Sequence, residues 1–147
     1  MSILVVDVGT SGLRAAVVRP DASVTALHYR AAPPSTPVPG LVEFDPAAMA
    51  SAVLEIATAA LADAGPVDAV GVTCQRASTV LWDRTTGEPL GPGIGWQDLR
   101  TVMECITAKA EHGLALAPNQ TATKAVWLLR QHAAGRDPSE LCIGTVD

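Results

Sequence analysis

Asp7, Gly9, Thr10, Ser11, Gly12 and Arg14 crowd one short stretch near the start of the chain, and these residue types in this order suit the handling of phosphate. Gly9 and Gly12 permit unusual backbone angles and the close approach of a ligand. Thr10 and Ser11 supply hydroxyls and backbone N–H groups as phosphate donors. Asp7, at the end of an apolar run, can hold a hydrated Mg²⁺ that bridges phosphate oxygens, and Arg14 can add charge-assisted hydrogen bonds. The same residues also suit an ordinary hairpin turn in which glycine supplies the bend and aspartate caps it.

The elements that must position this turn follow from the pattern around it. Ile3 to Val8 is a continuous apolar run, as in a strand buried on both faces, and Leu13 to Val18 is a second β-rich run. Val24 to Tyr29 supplies a third strand after a turn at Pro20, Asp21 and Ala22, so the chain opens on three consecutive strands. Ala31 to Leu41 carries Pro33, Pro34, Pro37, Pro39 and Gly40 and reads as an extended surface loop. Asp45 and Pro46 are a helix start, Met49, Val53, Ile56, Ala57, Ala60 and Leu61 give its apolar face, and Gly65 with Pro66 stops it. Beyond it the spacing predicts a strand over Asp68 to Cys74 and a hairpin from Ser78 to Trp96 that turns at Thr86 and Gly87. Helices are predicted over Asp98 to Glu111 and Thr121 to Ala133, with Asp98 suited to a cap. Strands first, then a helix, a strand and more helices define an α/β class with helices packed on a mixed sheet.

Composition narrows the function. With 147 residues, 48% of them hydrophobic and 17% charged, the chain has the material for a globular core. Its net charge of −5 lacks the basic stripe that nucleic acid requires. Cys74, Cys105 and Cys142 are scattered, without the spacing of a zinc site or a disulfide framework, which fits a reducing cytoplasm. No leader pattern opens the sequence, and every apolar run reads as too short for a bilayer, so no membrane partner is expected.

The Asp7 to Arg14 turn resembles that of the actin-like ATPases, and further segments resemble the N-terminal part of the FGGY carbohydrate kinases. These are Gly40 to Pro46, Val72 to Arg76, Ser78 to Asp83 with Thr86, Gly87 and Pro89, then Trp96, Gln97, Asp98, Arg100 and Thr101, then Thr123, Lys124 and Trp127, and Gly144 to Asp147. The resemblance implies a ribonuclease H-like half-domain, three leading antiparallel strands, and transfer of the ATP γ-phosphoryl group to a sugar or polyol hydroxyl. It implies that Asp7 coordinates the nucleotide's Mg²⁺ and that Gly9, Thr10, Ser11, Gly12 and Arg14 approach the phosphates. It gives Gln75, Arg76, Ala77, Trp96 and Asn119 to the substrate side, with Arg76 bonding a hydroxyl and Trp96 forming a wall of the sugar pocket. By themselves, Trp96 would serve equally as a core aromatic, Arg76 as a surface residue beyond a strand end, and Asp98 as a helix cap.

The departures bear on the substrate. Ala77 stands where glycerol kinases place an acidic residue, and Asn119 near where they place a tyrosine, which puts glycerol in doubt; no Met and His follow Gln75, so the xylulokinase pattern also fails. The resemblance places the catalytic base and the adenosine site in later segments, so residues 1–147 are expected to be the beginning of the first kinase domain and to lack activity alone. A non-catalytic actin-like binding or regulatory module is the alternative, and self-association is left open.

Overall fold

A computed structural model describes residues 1–147. The chain divides into one unit of Met1–Pro33, Ala48–Gln75 and Asp147, and a second of Pro34–Ala47 and Arg76–Val146.

In the first unit, β1 (Ile3–Val8) pairs antiparallel with β2 (Gly12–Val18), and β2 with β3 (Val24–Ala31). After α1 (Pro46–Ala64), β5 (Ala69–Cys74) returns parallel to β1, giving the order β3-β2-β1-β5. The three leading antiparallel strands are therefore as expected. Strand alternation sorts the side chains. Leu4, Val6 and Val8 of β1 sit opposite Val17, Ala15 and Leu13 of β2, and all six are buried. In register with Ala15 and Leu13, His28 and Arg30 of β3 reach Asp63 and Glu55 of α1, so α1 lies on this face. Asp7, Arg14 and Tyr29 occupy one register row on the opposite face.

α1 begins at Pro46, as the Asp45–Pro46 pair predicts, and turns off at Gly65 (φ 78°), whose N–H donates to the Leu61 carbonyl. The Arg19 guanidinium donates to the Ala64 carbonyl at 2.7 Å and satisfies one of the groups a helix end leaves open. By length and composition α1 is long and apolar enough to cross a membrane, which corrects the reading that every apolar run is too short. Here it is a sheet-covering helix: Ala52, Ile56 and Ala60 are buried, and Glu55 and Asp63 are paired to β3.

In the second unit, β4 (Glu43–Phe44) pairs with β7 (Gly93–Ile94), and β6 (Val80–Asp83) with β8 (Leu141–Gly144), both antiparallel. The expected Ser78 to Trp96 hairpin is thus only partly formed. The chain does turn at Thr86 and Gly87, but single bridges at Trp82–Pro89 and Thr79–Ile94 replace a ladder, and the continuous partner of β6 is β8. Pro89 and Pro92 explain this, since a proline has no N–H to give a ladder. α2 (Val102–His112) starts later than the predicted Asp98, while α3 (Thr121–His132) is close to its prediction. Leu81, Ile94, Leu128, Ala133 and Leu141 form the core of this unit, with Leu90 and Trp127 against it.

Candidate functional site

The turn between β1 and β2 is closed by the Gly9 N–H, which donates to the Gly12 carbonyl at 3.1 Å. A Cβ on Gly9 would lie 2.8 Å from that carbonyl, so the closure requires glycine. Gly12 is required for a different reason: a Cβ there would come within 2.5 Å of the Tyr29 ring, which covers it. The register that forms the hairpin puts Arg14 opposite Asp7, and Arg14 NH1 donates to Asp7 Oδ2 at 3.1 Å. Both side chains are partly exposed, at 53% and 38%. Thr10 is half-buried and Ser11 exposed at the tip. The donor set suits a divalent cation of the magnesium type. One carboxylate at an open strand end, with room for water and phosphate oxygens, is how such an ion is commonly held, and no group of three or more acidic, His or Cys side chains offers an all-protein cage.

The substrate-side residues fall as follows. Gln75 closes the first unit, its N–H donating to the Val8 carbonyl at 2.9 Å. Arg76, Ala77, Trp96 and Asn119 belong to the second. Arg76 and Asn119 are exposed. Trp96 is 41% exposed, so it is not a core aromatic, and its backbone N–H is held by Ser78 Oγ at 3.1 Å. Ala77 has φ 64°, the left-handed region that a side chain enters at a cost of roughly 1–2 kcal/mol. Strain of this kind is often kept beside a functional group.

Asp98 is neither a helix cap nor open to a substrate. It is 1% exposed, while the α2 N-cap is Thr101, which makes no side-chain cap bond. Asp98 Oδ1 accepts from the Arg100 N–H (2.9 Å) and Nε (2.8 Å), and Oδ2 accepts from the Val42 N–H (2.6 Å) and Arg100 NH2 (2.8 Å). Arg100 NH2 also donates to Glu43 Oε1 at 2.8 Å, and its guanidinium lies 4.6 Å from the Trp127 ring centroid. This network fastens the Gly40 to Pro46 segment to the loop that carries Trp96. Burial pushes the Asp98 carboxyl up, but the bonds from Arg100 and Val42 outweigh it and hold it below the usual range. Burial likewise lowers Lys124, against the pull of Asp98 and Cys105, and its Nζ has no hydrogen-bond partner.

Sequence reasoning gives roles to the turn, Arg76 and Trp96, whereas Tyr29 enters only as a strand end and Ser78 and Lys124 only within resembling segments, with no role. Tyr29 was open to discovery from strand alternation, because its parity in β3 sets it beside Arg14. For Ser78 and Lys124 nothing in the local pattern tells what they contact.

A glycine-closed turn at an acidic strand end, three leading antiparallel strands and a parallel returning strand are the pattern of an actin-like ATPase half-domain of the kind found in carbohydrate kinases. Comparison with known proteins agrees with this class. The chain is 39% identical to a glycerol kinase of Trichlorobacter lovleyi, over 99% of this chain and 32% of that protein. It also superposes on a Plasmodium falciparum glycerol kinase solved with ADP (TM-score 0.83, 21% identity, covering 99% of this chain and 32% of that one), a likeness of fold. A xylulose kinase from Rhodospirillum rubrum matches with TM-score 0.76 and 30% identity, over 91% of this chain and 30% of that one. Residues 2–146 match the N-terminal domain of the FGGY family of carbohydrate kinases, and the chain belongs to that family. It spans about a third of the length of the curated relatives it matches.

Proposed function

We propose that this chain supplies the phosphate-binding turn and part of the sugar pocket of a kinase that phosphorylates a sugar or polyol hydroxyl with ATP. The observation that carries the reading is the turn: a glycine-closed hairpin tip with Asp7 and Arg14 side by side at its base. Thr10, Ser11 and the backbone N–H groups of the tip donate to phosphate oxygens, and Arg14 adds a charged donor. Asp7 would hold Mg²⁺ at the phosphates, and the ion would supply neutralisation of negative charge there. In the second unit, Arg76 donates to a substrate hydroxyl and the exposed Trp96 face packs on the C–H face of the sugar, with Ala77 and Asn119 contributing further contacts; Gln75, at the end of the first unit, is also given to the substrate side. Ala77 presents a methyl group and no hydroxyl acceptor, which turns the specificity away from a ligand that needs a carboxylate there.

Catalysis on this reading is positioning and electrostatics. The base that deprotonates the acceptor hydroxyl, and the adenosine site, come from polypeptide outside residues 1–147. These residues are the beginning of the first kinase domain, in a protein of the cytoplasm, where the three unpaired cysteines stay reduced. The test is ADP release by the polypeptide from the native gene, given Mg-ATP and a panel of glycerol, pentuloses and hexuloses, beside Asp7→Asn. Turnover with one substrate that is lost in Asp7→Asn is expected. Binding of phosphate ligands without turnover on any member of the panel would favour a non-catalytic actin-like module.

A further inference from the structure

Arg14 does more in this structure than wait for phosphate. Its NH1 donates to Asp7 Oδ2 at 3.1 Å, an oxygen of the carboxylate that the proposed function gives to the metal. The guanidinium carbon lies 5.3 Å from the Tyr29 ring centroid, within cation–π range. Asp7, Arg14 and Tyr29 are register partners across β1, β2 and β3, so the strand pairing places all three on one face in one row. The Tyr29 ring is in turn settled over Gly12, whose missing Cβ makes the room. The guanidinium is thus held at one side by a carboxylate and at the other by an aromatic face, at the base of the phosphate turn.

We infer that Arg14 is a built-in counter-ion for Asp7, and that Tyr29 is the positioning residue that keeps it there, so that the guanidinium and a free divalent cation compete for the same carboxylate. The inference rests on the reading that Asp7 is the metal position. Its consequence is coupling. A bare cation must displace Arg14 without recompense, whereas a metal–nucleotide complex gives the guanidinium phosphate oxygens in exchange for Asp7. The site therefore favours the complex over the free ion.

The experiment measures binding of Mn²⁺ alone to the full chain, by the electron paramagnetic resonance signal of the unbound ion. Arg14→Gln is expected to bind Mn²⁺ about two- to fivefold more tightly than the unaltered chain, the range set by an exposed ion pair. Tyr29→Leu is expected to move in the same direction by less, and Tyr29→Phe, which keeps the ring, to restore the original pattern. Tyr29 is the sole tyrosine, so 3-fluorotyrosine gives a single ¹⁹F resonance at this position. Saturating Mg²⁺ should shift it, and should not in Asp7→Asn. If Asp7→Asn abolishes Mn²⁺ binding while Arg14→Gln brings no gain, the counter-ion inference fails and the metal position stands. If Asp7→Asn binds Mn²⁺ as well as the unaltered chain, or if no variant binds at millimolar concentration, the metal position fails and the inference with it.

Discussion

Replacing Asp98 by Asn tests whether the buried network, and not helix capping, is what this residue is for. The side chain changes little in size, so the effect is electrostatic and directional. In the native chain each carboxylate oxygen accepts two bonds: Oδ1 from the Arg100 N–H and Nε, Oδ2 from the Val42 N–H and Arg100 NH2. An asparagine oxygen in the Oδ1 place keeps the first pair. The amide NH2 then faces the Val42 N–H and Arg100 NH2, donor against donor, and both lose their acceptor. Arg100 retains Glu43, but it is itself buried, with 6% of its side chain exposed. A buried N–H left without an acceptor costs about 1–3 kcal/mol, and breaking one side of a buried ion pair costs about 3–5 kcal/mol. These overlap, so the expected loss is about 3–5 kcal/mol in total, where a lost helix cap would cost about 1 kcal/mol.

The assay is urea unfolding followed by tryptophan fluorescence, with Trp127 under the Arg100 guanidinium as a local reporter. The pH dependence adds a second check. The folded-state pKa of Asp98 is depressed, so its contribution is fully present above the unfolded value of about 3.9 and is lost as pH falls through the folded pKa. The gap between the native chain and Asp98→Asn should therefore be constant near neutrality and close in acid. A loss of about 1 kcal/mol or less at pH 7, or a gap that persists unchanged in acid, would refute the network argument.

Lys124→Met should stabilise the chain by about 1–3 kcal/mol, since it removes a buried polar group whose Nζ has no partner. Because burial depresses the Lys124 pKa, that advantage should be full below the folded pKa and shrink as pH rises towards the unfolded value near 10.4, as equilibrium unfolding across alkaline pH would show. Ala77→Gly should raise the melting temperature, because relief of a positive φ that costs about 1–2 kcal/mol outweighs glycine's entropic cost of about 0.5–1 kcal/mol. Gly9→Ala should weaken ADP binding measured by calorimetry and cost about 1–3 kcal/mol of stability, because its Cβ meets the Gly12 carbonyl at 2.8 Å and the turn must open.

What could be read in the sequence was what local pattern determines. The apolar run of Ile3 to Val8, broken only by Asp7, the glycines that follow it and the Asp45–Pro46 helix start are each decided within a few residues and each stands where it was expected, although β1 alternates between buried and half-buried positions and is not buried on both faces. The misreadings share another cause. Val80 to Asp83 was given its nearest downstream segment as a partner, but the prolines at 89 and 92 remove ladder donors, and the vacancy is filled by Leu141 to Gly144 from far along the chain. Asp98 carries the residue type of a helix cap. It is drawn inward because Val42, distant in sequence, presents an N–H to it and Arg100 can fold back on it. Neither partner has a local signature, so no periodicity argument could have found them.

The two faces of the leading sheet show why the candidate site survives at the end of β1. Every residue of β1 that points towards α1 is apolar and buried, which leaves the opposite parity available for chemistry without disturbing the core. Asp7 is the last residue of that parity in β1, and the tight turn brings Arg14 directly opposite it. Moving the register of either strand by one residue would turn that strand over and send its Asp7 or Arg14 into the face occupied by Ala52, Ile56 and Ala60, so the core enforces the geometry of the site. The same packing that holds β1 against α1 therefore fixes which carboxylate meets the phosphate turn, and a substitution such as Val6→Asp should abolish both folding and ligand binding, not trade one for the other.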